Sequence, residues 1–150
     1  AQAAPHGGRQ GYMNRKEAVN ARVAERENLM QMIYQMGITG DFSQEAYDRY
    51  INTEISLSKE SKYSKELFAA LSQHLVDIDK EIGEHSIKWK TDRMPAVDLA
   101  ILRLALTEIH YMENIPVSVS INEAVNIAKK FSTEKSASFI NGVLGKIVNA

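Results

Sequence analysis

The chain reads as an all-α protein of six to seven helices, and three observations carry that expectation. Nearly every segment repeats its apolar residues at three- and four-residue spacing. No run alternates apolar and polar residues as a half-buried strand would. Glycine and proline fall between the periodic stretches, at Gly37, Gly40, Gly83, Pro95 and Pro116, where they punctuate helices. With 150 residues, 44% of them hydrophobic and 25% charged, the chain has enough material for one domain with a real core.

The opening helix is expected over Arg15–Met36, ending at Gly37 with Gly40 completing the break. Asp41 and Ser43 offer caps for a second helix carrying Ala46, Tyr47, Tyr50, Ile51 and Ile55. A third pattern holds Leu67, Phe68, Leu71, Leu75, Ile78 and Ile82 and stops at Gly83. Asp92 is read as the cap of a fourth helix, with Pro95 tolerated in its first turn. Between Val97 and Ile109 that helix is apolar nearly all round, so others must surround it. Ser120 and Glu123 have capping-box spacing and are read as opening a fifth helix with Ile121, Ala124, Val125 and Ala128 on its buried stripe. A sixth begins near Thr133 or Glu134 and carries Phe139, Val143 and Ile147. Residues 1–12 lack a helical period and are set apart as a flexible tail; residues 13–150 are read as one domain.

Composition excludes several functions. There is no cysteine, which removes disulfide scaffolds, thiolate metal sites and thiol nucleophiles. No apolar run approaches the roughly 20 residues needed to cross a bilayer, and a cytoplasmic protein is expected. The four histidines are scattered, no metalloprotease motif or phosphate-binding glycine loop occurs, and His110 with Glu113 supplies too few ligands for a metal. No catalytic residue, metal or cofactor is nominated, and no enzyme is expected.

The net charge of −1 hides an uneven distribution. Basic residues prevail before Met36 and after Asn114, and carboxylates prevail between. At about 100° per residue, Arg15, Arg22 and Arg26 fall within about 40° of one another on the first helix. A guanidinium stays charged and donates paired hydrogen bonds, so such a stripe suits the phosphates of a nucleic acid strand. The plainer reading is a solvated face of Arg–Glu pairs. Near the other end, Lys129, Lys130 and Lys135 surround Phe131 and Phe139, and base stacking on such rings contributes roughly 1–3 kcal/mol per base. Helix-period aromatics are more commonly core.

The segment Ile-Pro-Val-Ser-Val-Ser-Ile-Asn-Glu-Ala-Val-Asn-Ile-Ala-Lys-Lys-Phe, from Ile115 to Phe131, is followed by Glu134-Lys-Ser and Phe139-Ile-Asn-Gly-Val-Leu144. With Asp98-Leu-Ala-Ile-Leu-Arg-Leu-Ala105, Glu108 and Ala24–Tyr34, these blocks resemble the NusB family of transcription antitermination factors. The resemblance spans roughly Arg15 to Val148, with 37–86 matching only in helical character. It implies two packed three-helix bundles and binding of the boxA element of nascent ribosomal RNA. It further implies partnership with NusE, a small-subunit ribosomal protein, within an RNA polymerase antitermination complex. On this reading the RNA-binding residues are Arg15, Lys16, Arg22, Arg26, Tyr34, Lys129, Lys130, Phe131, Lys135, Phe139 and Asn141. Glu81 and Glu84 are nominated to meet the basic partner. The chain departs from the family's dense arginine cluster at Ala21–Arg26, where Val23 and Glu25 dilute it. Ser132 stands where a glycine is usual, and Gly145 where an aspartate is. Two rivals stay open: a helical protein-binding scaffold or homodimer without specific RNA binding, and the RNA-binding fragment of a ribosomal RNA methyltransferase.

Overall fold

The computed structural model describes residues 14–53, 60–86 and 93–150. Among them are six α-helices and no strand: α1 Arg15–Thr39, α2 Gln44–Thr53, α3 Lys62–His85, α4 Ala96–Tyr111, α5 Val117–Phe131 and α6 Glu134–Val148. The expectations placed on residues 1–12, Ile55 and Asp92 lie outside the described residues.

Local chemistry sets the ends. The Asn14 side chain accepts from the Glu17 amide at 2.8 Å and starts α1. That helix runs through Gly37 and stops only at Gly40, whose φ of 74° is the left-handed conformation glycine adopts without steric cost. Gly37 has a different use, because the Arg103 guanidinium lies 3.1 Å from where its Cβ would stand. Ser43 Oγ accepts from the Ala46 amide at the start of α2, and Asp41 accepts from the Ser43 amide. α3 continues past Gly83 to His85 and is interrupted within by non-helical angles at His74. Pro95 caps α4 from outside its first turn. Thr133 caps α6 as expected, accepting from the Ser136 amide at 3.0 Å.

The expected box at Ser120 does not cap a helix. The cap lies four residues earlier, at Pro116, and Ser120 is buried on the inner face of α5. Proline favours the start of a helix because it has no amide hydrogen to leave unpaired.

α4 is the centre of the molecule, packing against α1, α3, α5 and α6. Its residues from Ala100 to Glu108 are all buried, as an apolar circumference requires. α1–α3 form one half: Tyr47 of α2 stacks on Phe68 of α3 at 4.4 Å, and the Tyr50 hydroxyl donates to the Asn28 carbonyl of α1. α4–α6 form the other half, and a single core runs through both. Arg103 links the halves, donating Nε and a terminal nitrogen to the two Asp79 oxygens, each at 2.8 Å.

Candidate nucleic-acid interface

The basic stripe of α1 has the spacing expected of it, but it changes environment along its length. Arg15 and Lys16 are exposed in the first turn. Arg22 is partly exposed, ion-paired with Glu25 at 3.2 Å, and its guanidinium lies 4.1 Å from the Tyr63 ring centre. Arg26 is only 5% exposed. Its assignment to phosphate binding is therefore corrected: Nε donates to Glu108 at 2.7 Å inside the domain. The reason lies in the helix period. Counting about 100° per residue from Arg15, Ile33 falls on the line of the stripe, with Leu29 and Met30 on either side, and all three are buried. The stripe is the outward extension of the core face and passes under the fold as α1 enters it.

A solvent-facing flank remains. Lys16, Glu27 and Tyr34 share another line on α1, and Tyr34 is 37% exposed. Lys130 Nζ reaches Glu27 Oε1 at 2.9 Å, which seats the last turn of α5 beside that flank. Lys129 and Lys130 are exposed at the carboxyl end of α5, where cations also oppose the helix dipole. Phe131 follows, 36% exposed, with Lys130 Nζ 5.4 Å from its ring centre. The exposed part of the opening helix and the Lys/Phe corner thus adjoin.

α6 extends the corner. Lys135 and Asn141 are exposed, while Phe139 is partly buried against the core. A cleft of about 610 Å³ runs along this helix, its described lining including Lys135, Phe139, Gly142, Lys146 and Pro95. Among the described residues, a Cβ at Gly142 would meet nothing within 4 Å, so that glycine does not serve close packing against the described helices. The Ser132 hydroxyl lies 2.9 Å from that of Ser136 and 3.4 Å from Asp98 Oδ1, tying the corner back to α4. Asp98 is buried, and desolvation raises its pKa even though bonds from Ser136 and Ser132 favour the ionised form.

The acidic nominees separate as well. Glu84 is exposed. Glu81 is engaged within the chain, its Oε1 lying 2.6 Å from His110 Nε2. That contact also occupies His110, whose spacing from Glu113 would otherwise offer two ligands to a metal. Among the described residues no three metal-ligating side chains cluster.

A buried polar cluster was missed. Glu108, 1% exposed, accepts from Arg26 of α1, Ser120 of α5 and the Tyr63 hydroxyl of α3. Burial pushes the Tyr63 hydroxyl well above the ordinary tyrosine range, and the neighbouring Glu108 charge pushes the same way. Burial alone would lower the Arg26 pKa, but the hydrogen bond and charge of Glu108 hold it above its usual value. The available signal was the pairing of a carboxylate deep in a largely apolar helix, which also carries Asp98 and Arg103, with an arginine on a core line.

Comparison with known proteins agrees with this architecture. The model of the NusB family matches residues 23–149. The chain is 42% identical over 136 residues to the transcription antitermination protein NusB of a Thermoanaerobacter species, covering 91% of each. It is 38% identical over 128 residues to that of Finegoldia magna, covering 85% of this chain and 93% of the relative. Among solved structures, NusB of T. maritima superposes with a TM-score of 0.72 at 31% identity, covering 85% of this chain and 90% of that one. NusB in a crystal with NusE and double-stranded RNA gives 0.73 at 24% identity, covering 85% and 96%, a likeness of fold. With its family model spanning both helical halves, the chain belongs to the NusB family.

Proposed function

We propose that this chain is a non-catalytic transcription antitermination factor that binds boxA RNA together with NusE and acts on nascent transcripts in the cytoplasm. The observation that carries the reading is the Glu27–Lys130 contact, which seats the exposed Lys129, Lys130 and Phe131 of α5 against the flank of α1 whose line also carries Lys16 and Tyr34. Arg15, Lys16, Arg22, Lys129 and Lys135 supply phosphate contacts. Tyr34, Phe131 and Phe139 supply apolar faces for unstacked bases, with Asn141 beside them. Phosphate contacts set affinity and base contacts set sequence choice. Glu84 contributes to the acidic side that meets the basic ribosomal protein, which recruits the complex to RNA polymerase.

The test is binding of boxA RNA and a scrambled RNA, each with and without NusE, across a salt series. With about five phosphates contacted, one for each of those cations, the log–log slope should be roughly −3.5. NusE should tighten boxA binding more than scrambled binding. Equal affinity for both RNAs, or a flat salt response, refutes the reading in favour of a protein-binding scaffold.

A further inference from the structure

Four helices meet at one carboxylate. Glu108 projects from α4, and both its oxygens are used: Oε2 takes Arg26 Nε and the Tyr63 hydroxyl, and Oε1 takes the Ser120 hydroxyl at 2.8 Å. Glu123, one turn beyond Ser120 on α5, lies 3.9 Å from a terminal nitrogen of Arg26. Arg22, one turn before Arg26 on α1, is held over the Tyr63 ring. The same carboxylate thus fixes α1 through Arg26, α5 through Ser120, and the ring on which Arg22 rests.

A buried ion pair is weak evidence for stability, because apolar side chains of similar volume often serve as well. It differs from them in direction. Apolar faces tolerate sliding and rotation, whereas a carboxylate with three assigned donors accepts one arrangement of the helices that bear them. Two of the helices it ties, α1 and α5, carry on their outer surfaces the cations of the proposed RNA face other than Lys135 of α6.

We propose that Glu108 is a positioning residue for RNA binding: it sets the register of α1 against α5, and so the spacing between the α1 cations and Lys129. This rests on the RNA-binding reading above. Glu108 touches no RNA and acts through Arg26, Tyr63 and Ser120.

Two variants test it. Glu108→Gln removes the charge with little change of volume. Arg26→Met, Tyr63→Phe, Glu108→Leu and Ser120→Ala together make the cluster apolar and leave none of these four polar groups to be satisfied. Because the chain has no cysteine, paired spin labels at Asn20→Cys and Asn126→Cys, both exposed, report the α1–α5 distance without reference to RNA. The expected result is a folded apolar variant whose label distances broaden or shift. Its RNA salt slope should shrink in magnitude by about 0.7, the share of one single-strand phosphate. Glu108→Gln should change both in the same direction. A folded variant that keeps the parent's distances, or the parent's slope, overturns the proposal. If the parent itself fails to bind RNA, the functional reading falls, while the label distances still decide whether Glu108 sets the register.

Discussion

Arg22 and Arg26 stand one helical turn apart, and replacing each by alanine should give different phenotypes, a large loss of stability at Arg26 and a loss of RNA contact with little loss of stability at Arg22. Arg26→Ala leaves Glu108 buried with only hydroxyl donors. Breaking a buried pair from one side costs about 3–5 kcal/mol, since the remaining charge has lost its counterion. For a domain of this size each kcal/mol lowers the melting temperature by about 2–4 °C, so a drop of roughly 6–20 °C is expected. Arg22 has a side chain 40% exposed. Its removal forfeits a cation–π contact of about 0.5–1 kcal/mol and an ion pair with Glu25 that is worth little in water. Arg22→Ala should therefore melt within a few degrees of the parent and lose RNA affinity, with a salt slope smaller by about 0.7. Far-UV circular dichroism on heating, with RNA titrations at several salt concentrations, measures both. An Arg26→Ala protein that melts with the parent would refute the assignment of Arg26 to the interior. An Arg22→Ala protein with unaltered RNA binding would remove Arg22 from the interface.

Three further outcomes are expected. Phe131→Ala should weaken RNA binding by roughly 5- to 150-fold, the worth of one stacked base, with the melting temperature little changed because the ring is already 36% exposed. A stability loss as large as that of Phe139→Ala would place Phe131 in the core instead. Gly40→Ala forces a side chain into φ of 74° and should cost about 1 kcal/mol, visible as a melting temperature lower by about 2–4 °C. Asp98→Asn should raise the melting temperature at neutral pH. Burial raises the Asp98 pKa above 3.8, so the folded chain holds that proton more tightly than the unfolded chain. Its contribution is intact below the ordinary carboxylate pKa and is lost as pH rises through the raised value. Asparagine cannot ionise and still accepts from Ser132, so the gap between variant and parent should close as the pH falls. A gap independent of pH would exclude burial of the charge as its cause.

The helices were legible because their apolar period is strong, and α4 announced its central place by being apolar all round. Boundaries were less so where one residue type has two uses. Gly37 and Gly40 both look like stop signals, but only Gly40 needs a left-handed backbone, while Gly37 makes room for Arg103. Ser120 and Glu123 have the spacing of a cap, yet Pro116 already fixes the start of α5 and frees Ser120 to reach Glu108. The adjacency of α1 to the Lys/Phe corner could not be read from either segment, since it depends on how both lie against α4. The fate of Arg26 was legible in principle. A stripe that lines up with Leu29, Met30 and Ile33 points where they point, and its inner end must be buried.

That alignment also bears on the thinned arginine cluster. Counted by sequence, α1 offers Arg15, Lys16, Arg22 and Arg26 to RNA. Counted by surroundings, Arg26 is committed to Glu108, Arg22 shares its charge with Glu25, and Lys130 on the facing helix is held by Glu27. An RNA phosphate must compete with Glu25 and Glu27 for two of these cations. Both carboxylates sit at the edge of the proposed face, so they also repel the strand. Glu27→Gln should free Lys130, remove one repulsive charge and tighten RNA binding while making the salt slope steeper by about 0.7. If Glu27 matters instead as the tie that seats α5 beside α1, the same change will weaken binding, and the sign of the effect distinguishes the two roles.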